Sequence, residues 1–209
     1  KRWPGSTVVC AATGPSLDDE QLQVIRKQQQ AGRWRVIAIS DNYRRAPWAD
    51  VVYACDLAWW KAHHAQVAKE APESEHWTCC NVAADRFGLH RVRSANRPGL
   101  GTWQVHTGGN SGYSAINLAF LFGATRILLV GYDMQASGGK KHWFGDHPAR
   151  LVQVQLFGEW LHRFKALGTD LRAAGIQVIN CTRQTALREF PLSTIEDEAH
   201  HHAEDVLRA

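Results

Sequence analysis

The sequence has few of the features that mark membrane, secreted or metal-binding proteins. No run approaches the roughly 18 consecutive apolar residues of a membrane-spanning helix. The first residues have no apolar core of the kind found in signal peptides, so we expect a cytoplasmic protein without a membrane span. The five cysteines are scattered, and none forms a CxxC pair. This pattern favours free thiols over disulfides or a cysteine-based zinc site.

The common nucleotide-binding signatures are also absent. The chain has neither the GKS or GKT ending of a Walker loop nor a GxGxxG motif. Its 209 residues, 44% of them hydrophobic, are ordinary for one globular domain. The net charge of +4 suits anionic small molecules and nucleic acid about equally. We predict a single nucleotide-binding α/β domain over residues 1–195, followed by an acidic, histidine-rich tail at 196–209.

Short apolar runs alternate with helical patterns along the chain. The runs predict strands at residues 7–12, 35–40, 51–55, 76–80, 126–130 and 176–180. Helices are predicted between them, including 57–71, 110–124 and a long one at 149–174, whereas 82–105 reads as an irregular segment that could carry a short strand. Alternation of this kind predicts a Rossmann-like three-layer α/β sandwich with a mostly parallel sheet.

Polar turns follow five of the predicted strands. In an open α/β sheet these turns meet at the carboxyl edge, where ligands bind. The turns contain the following residues: Thr13, Gly14, Pro15 and Ser16; Asn42; Asp56; Tyr132 and Asp133; and Thr182.

Two glycine-rich turns lead into predicted helices. In Thr13-Gly14-Pro15-Ser16, glycine allows close approach to a phosphate, and Ser16 can cap the following helix. The second turn is Thr107-Gly108-Gly109-Asn110-Ser111-Gly112. The first turn alone is equally well explained as a plain strand-to-helix turn, whereas the second is the stronger signal. Together they favour a nucleotide or sugar-nucleotide site.

The loop at residues 140–148 concentrates the groups suited to proton transfer. It holds His142, Asp146 and His147, with Lys140 and Lys141 beside them. Histidine titrates near neutral pH and lysine complements phosphate charge. The neighbouring Trp143 and Phe144 could form a lid over a base or sugar. A metal site at these residues and a plain solvated loop are the alternatives. His63-His64 is expected to be inert on a surface helix.

The order of these motifs resembles that of a known family. It runs from Gly14-Pro15-Ser16 through Ser40-Asp41-Asn42 and the second glycine-rich turn to Gly131-Tyr132-Asp133, the histidine loop and Asn180-Cys181-Thr182. This arrangement, over roughly residues 7–195, resembles the bacterial sialyltransferases that use CMP-sialic acid. It also resembles the related flagellin-modifying glycosyltransferases and archaeal hydroxymethylpterin pyrophosphokinases.

The resemblance implies roles for particular residues. Thr13 stands where the sialyltransferases have the nucleotide-holding asparagine of GNGPS, and Asn42 matches an asparagine that contacts the donor. His147 best matches the place of the general base, with His142 as second choice. The implied reaction is an inverting, metal-independent transfer from a nucleotide sugar that requires no cofactor. Lys140, Lys141 or Arg183 would stabilise the departing phosphate.

Two other functions remain open at this point. A pyrophosphokinase-like enzyme would use ATP and magnesium, with Asp41, Asp56 and Asp133 as candidate ligands because magnesium prefers carboxylate oxygens. A noncatalytic nucleotide- or nucleic-acid-binding module is suggested by the arginines between residues 86 and 97.

Overall fold

The structure is a computed structural model, and it describes residues 1–145 and 156–200. The strands in this part of the chain are β1 Thr7–Ala11, β2 Trp34–Ile39, β3 Val51–Tyr53, β4 Glu75–Thr78, β5 His90–Arg91, β6 Ser94–Ala95, β7 Val105–His106, β8 Arg126–Val130 and β9 Gln177–Asn180. The helices are α1 Asp19–Gln30, α2 Leu57–Glu70, α3 Asn81–Phe87, α4 Ser111–Phe122 and α5 Phe157–Ala173. A 3-10 helix spans Ser40–Arg44, and residues 195–200 are helical.

The central sheet contains seven parallel strands in the order β5-β4-β3-β2-β1-β8-β9, within the described residues. Strands β6 and β7 form a separate parallel pair. Helices flank the sheet, so the predicted Rossmann-like α/β architecture is confirmed. No helix among the described residues is long and apolar enough to cross a bilayer.

The central strands are apolar along their whole length because both of their faces are covered. Every residue of β1 is buried. Val8 and Cys10 pack into one hydrophobic cluster, whereas Val9 and Ala11 pack into another on the opposite face. This double burial explains why continuous apolar runs, without alternation, were correct predictors of strands.

Several boundaries differ from the sequence predictions. Helix α1 begins at Asp19 and is capped by Asp18, whose carboxylate accepts from Gln21 N at 2.8 Å; Ser16 does not cap it. Helix α5 begins at Phe157, whereas 149 was predicted; residues 149–155 lie outside the described part. The segment at 82–105 contains most of α3 and three two-residue strands, so the expectation of a short strand there is confirmed.

The first residues of the tail predicted at 196–209 pack against the sheet, together with Ile195 just before it. Ile195 and Ala199 join the cluster that contains Val9, and the Glu198 carboxylate pairs with Arg126. The Thr194 hydroxyl accepts from Asp197 N at 3.1 Å and so caps this last described helix.

Strand β1 lies at the topological switch point of the sheet. The chain passes from β1 to β2 on one side and returns to place β8 on the other. In open α/β sheets the crevice outside the carboxyl ends of two such strands is the usual ligand site. The residues that follow β1 and β8 are therefore the first place to look for function.

Candidate functional site

A cleft of about 670 Å³ opens at the carboxyl edge of the sheet. This volume lies within the usual range for small-molecule sites. The turns after β1, β2, β3 and β8 line it, together with the start of α4, the start of α5 and part of the histidine loop. Its sequence-predicted lining residues are Thr13, Gly14, Asp56, Thr107, Gly109, Asn110, Ser111, Gly112, Asp133 and His142.

The first glycine-rich turn is closed against the turn after β8. Gly14 N donates to Gly131 O at 2.9 Å, and a Cβ at position 14 would lie 2.0 Å from Asp133 Oδ1. Ser16 donates to the same carboxylate twice, from its backbone N at 3.0 Å and from its hydroxyl at 2.8 Å. Gly14 is thus required by protein packing, whether or not a phosphate binds here. Neither Pro15 nor Ser16 lines the cleft.

Asp133 is the carboxylate that holds this turn. Asp133 is only 2% exposed. Burial raises the pKa of its carboxyl above the ordinary 3.8, although the two hydrogen bonds from Ser16 oppose this rise. The backbone of the next residue, Met134, has φ of 50°. The chain therefore makes a tight, strained bend beside the cleft.

His142, in the histidine loop, is hydrogen-bonded to the first glycine-rich turn at the carboxyl edge of the sheet. Its Nδ1 lies 2.8 Å from Thr13 Oγ1, and its ring stacks on Phe144 with centroids 5.0 Å apart. The next residue reinforces the connection, because Trp143 N donates to Thr13 O at 3.0 Å. Thr13 thus contacts the candidate base directly.

Trp143 forms part of the supporting wall. Its indole N–H donates to Asn42 Oδ1 at 2.7 Å, and the Arg45 guanidinium lies 5.3 Å from its ring centroid. The predicted lid role is therefore left to Phe144.

Asn42 lies beneath the cleft and does not line it. The residue is fully buried, and its Nδ2 donates to Ala11 O and Ala12 O, both at 2.7 Å. With Oδ1 engaged by Trp143, the amide joins the end of β1 to the histidine loop. The resemblance implied a donor contact for this residue, whereas the geometry assigns it a positioning role.

The second glycine-rich turn lines the cleft and holds one buried donor without a partner among the described residues. Asn110 caps α4, since its Oδ1 accepts from Tyr113 N at 2.8 Å. Its Nδ2 is buried and meets no acceptor among the described residues. Gly109 is exposed, with φ of 89°. Gly108 instead packs under Tyr113, where a Cβ would lie 2.3 Å from the ring.

The remaining predicted residues divide between the cleft and the core. Asp56 lines the cleft at the start of α2 and makes no side-chain capping bond there. Tyr132 and Thr182 are buried: the Tyr132 hydroxyl donates to Gly112 O at 2.9 Å, and Tyr132 N donates to Thr182 Oγ1 at 2.9 Å. These two hydrogen bonds join the turn after β8 to the start of α4 and to the turn after β9, behind the lining of the cleft. Asp146 and His147 lie outside the described residues.

Several cleft residues were not identified from the sequence. Phe157 and Trp160 of α5 line it, with ring centroids 5.7 Å apart, and Cys55 lines another wall. Ser40 and Met134 also line it; they belong to the turns 40–42 and 132–134, which were predicted to meet at this edge. Ser40 and Met134 are the two non-glycine residues with positive φ in the described ranges. The one available sequence signal was the spacing of Phe157 and Trp160, which places both on one face of a helix.

Two of the three carboxylates suggested for magnesium, Asp56 and Asp133, line the cleft, whereas Asp41 does not. Asp41 is buried behind it, where it accepts from Trp59 Nε1 at 2.8 Å and pairs with Arg44 at 3.4 Å. His63 packs into the same cluster, stacked on Trp59, and is buried; the expectation that it is a surface residue was wrong. Within the described ranges, no three histidine, cysteine or acidic residues are grouped as a metal site would require.

The basic groups proposed for the leaving phosphate are also separated. Lys141 lines the cleft. Arg183 is engaged elsewhere, because its guanidinium pairs with Asp18 at 2.9 Å and with Glu196 at 2.7 Å. Of the three basic residues proposed for this role, Lys141 is the one that lines the cleft.

No protein-family model matches the chain, and no curated protein is significantly similar to it. The function is therefore inferred from the cleft.

Proposed function

We propose that the protein is a nucleotide-sugar-dependent glycosyltransferase whose general base is His142. The observation that supports this is one cleft at the switch point of the sheet, lined by both glycine-rich turns and by a histidine held by Thr13. A phosphate site and a proton acceptor are thereby brought together, as group transfer from a nucleotide requires.

The second turn is the better phosphate site. The first N–H groups of α4, at Ser111 and Gly112, have no acceptors within the helix, and the helix dipole favours negative charge at this end. The Asn110 Nδ2 adds a donor that lacks an acceptor among the described residues. Phe157 and Trp160 provide aromatic surface at the same cleft for a base or sugar ring.

His142 is suited to accept a proton from the acceptor hydroxyl. If Nδ1–H donates to Thr13 Oγ1, the neutral ring has its lone pair on Nε2. As the acceptor oxygen attacks the anomeric carbon, its proton passes to Nε2 while the bond from that carbon to the phosphate oxygen breaks. Lys141 and the α4 N-terminus then stabilise the departing nucleotide phosphate. The proposed transfer inverts the anomeric carbon and uses no metal.

A binding screen followed by a base substitution tests the proposal. Thermal shifts with CMP, UDP, GDP, ADP and ATP, with and without magnesium, identify the nucleotide. Release of that nucleotide from its sugar conjugate, with water as acceptor, then measures turnover. We expect His142→Ala to lower turnover about 10²- to 10⁴-fold with its fold intact. His162→Ala, an exposed histidine on α5 that does not line the cleft, is the matched control.

His147 is tested in parallel because it was the first choice as base. Loss of turnover in His147→Ala with full activity in His142→Ala would transfer the role to His147. Full turnover in both variants would refute a histidine base. A thermal shift that requires ATP and magnesium would instead favour the pyrophosphokinase alternative.

A second candidate function rests on a different surface. Arg86, Arg91, Arg93 and Arg97 are exposed, and none of them forms an ion pair within the described residues. Trp103, nearby in the chain, is 66% exposed. Arginines without ion pairs and an exposed aromatic ring are the groups that bind single-stranded nucleic acid.

Salt dependence tests this second candidate. Binding of a single-stranded oligonucleotide should weaken steeply with salt, and the slope should fall by about 0.7 for each arginine replaced by alanine. A salt-independent signal, or a slope that does not change in Arg91→Ala and Arg93→Ala, would reject it.

A further inference from the structure

Two cysteines meet at the ends of neighbouring strands beside the cleft. Tyr53 of β3 is in register with Trp77 of β4, and the ladder continues through Ala54 N to Trp77 O at 3.3 Å. Two residues further along each strand, Cys55 and Cys79 occupy the next position on the same face, and both pack against the same hydrophobic cluster. Each thiol influences the pKa of the other, so the two side chains are close neighbours.

The separation of the two strands suits a disulfide. Adjacent strands lie about 4.7–4.9 Å apart, and disulfides join Cα atoms about 4.4–6.8 Å apart. Both thiols are reduced in the structure and both residues are partly exposed. Cys55 also lines the cleft, so a small oxidant that enters the cleft can reach the pair.

The surroundings make the two thiols unequal. Hydrogen bonds from Cys55, and then from Tyr53 and Ser94, lower the pKa of Cys79 to about 7, although burial opposes this. The hydrogen bond to Cys79 and burial raise the pKa of Cys55. Of the two thiols, Cys79 is therefore the one that ionises more readily near neutral pH, and the thiolate is the reactive form. By contrast, burial raises the pKa values of Cys10 and Cys181 to about 12.

We propose that Cys55 and Cys79 form a redox-active dithiol, with Cys79 as the thiol that a hydroperoxide oxidises and Cys55 as the thiol that resolves it. The Cys79 sulfur attacks a peroxide oxygen: an S–O bond forms, the O–O bond breaks, and the departing hydroxide takes up a proton. Cys55 then attacks the Cys79 sulfenic acid: the S–S bond forms, and the hydroxyl leaves with the Cys55 proton as water. In total, the dithiol loses two electrons and hydrogen peroxide is reduced to two waters.

Closure of the disulfide changes the wall of the cleft. In the reduced protein, Cys55 Sγ lies 3.1 Å from Ser114 Oγ, and Cys55 N donates to Ser111 Oγ at 3.2 Å. Rotation of the sulfur toward Cys79 removes the contact with Ser114 in the first turn of α4. Oxidation of the pair therefore changes the contacts made by the first turn of α4, which lines the cleft.

Thiol counting on the wild-type protein tests the proposal directly. Reduced protein is treated with one equivalent of hydrogen peroxide, quenched with catalase, denatured and alkylated with iodoacetamide. We expect three alkylated cysteines in place of five, a 2 Da lower mass before alkylation, and a proteolytic fragment that joins Cys55 to Cys79. Five alkylated cysteines, or a disulfide to any other cysteine, would overturn the proposal.

Matched variants assign the order of attack. Cys80→Ser, beside Cys79 in the chain, should retain the intramolecular disulfide, whereas Cys79→Ser should abolish it. Cys55→Ser should leave a sulfenic acid on Cys79 that dimedone traps. In the wild type, alkylation of Cys79 by iodoacetamide should reach half its maximal rate near pH 7. A disulfide that persists in Cys79→Ser, or a sulfenic acid on Cys55 alone, would refute the assignment. These readouts do not depend on nucleotide binding, so failure of one proposal leaves the other standing.

Discussion

The two glycine-rich turns differ in where their polar groups are directed. At residues 13–16, Asp133 accepts both Ser16 donors, Gly131 O accepts from Gly14 N, and His142 contacts the Thr13 hydroxyl. At residues 107–112, Gly109 is exposed and the Asn110 Nδ2 finds no acceptor among the described residues. The polar groups of the first turn are hydrogen-bonded to other parts of the protein, whereas the second turn has a donor that a ligand could bind.

This difference shows that two distinct requirements can select glycine in a strand-to-helix turn. Gly14 is required because the turn after β8 occupies the space of a Cβ. At Gly109 a Cβ would meet only the ends of the Arg163 and Trp160 side chains, at 3.0 and 3.2 Å, so its cause is the backbone, with φ of 89°. We therefore expect substitutions in the first turn to act on stability and those in the second to act on binding.

The largest expected effect is that of Gly14→Ala on stability. The added methyl would lie 2.4 Å from Gly131 O and would displace Asp133, so we expect a loss of about 2–4 kcal/mol in the free energy of unfolding. Urea denaturation measures it. Gly158→Ala is the control, because nothing lies within 4 Å of its Cβ position; in helix α5 it should leave stability unchanged or raise it by up to about 1 kcal/mol. Equal stabilities of the two variants would disprove the packing role of Gly14.

A smaller effect is expected for ligand affinity. Asn110→Ser keeps an N-capping oxygen but removes the Nδ2 donor, so the nucleotide Kd should rise roughly three- to tenfold. Ser16→Ala, which loses one hydrogen bond to Asp133, should lower stability by about 1 kcal/mol and change Kd less than about twofold. Isothermal calorimetry and urea denaturation measure the two quantities. If Ser16→Ala weakened binding more than Asn110→Ser, the roles assigned to the turns would be reversed.

The smallest effect is a pH dependence contributed by Asp133. Because its pKa is raised in the folded protein, the fold holds this proton more tightly than the unfolded chain does. The associated stability is complete below the ordinary pKa of 3.8 and is lost as pH rises through the raised value. The difference in unfolding free energy between wild type and Asp133→Asn should therefore decrease over that window and stay constant above it. A difference that grows with pH would show that ionised Asp133 is the form favoured by folding.

The fold was largely predictable because its strands are buried on both faces. Continuous apolar runs such as residues 7–12 and 126–130 leave little alternative to a central parallel strand. The edge of the sheet was harder, since β5 has only two residues, both exposed. The start of α1 was ambiguous because Ser16 and Asp18 can both cap a helix, and only the proximity of Asp133 decides between them.

The site was predictable in its location but not in its contacts. Strand order places the polar turns at one edge, as the sequence predicted. Whether Asn42 contacts a ligand or a carbonyl depends on residues far away in the chain, and Trp143 is its partner across 101 positions. The same holds for His63, whose burial follows from the cluster around Trp59 and Asp41.

The attachment of His142 to Thr13 has a consequence for the order of folding. The two residues are 129 positions apart, so this contact closes one of the longest loops in the chain. Such loops carry a large entropic cost and form after more local structure. We therefore expect the cleft to be among the last parts to assemble. A nucleotide that binds there would report the completed native state, whereas circular dichroism would register the sheet and helices earlier.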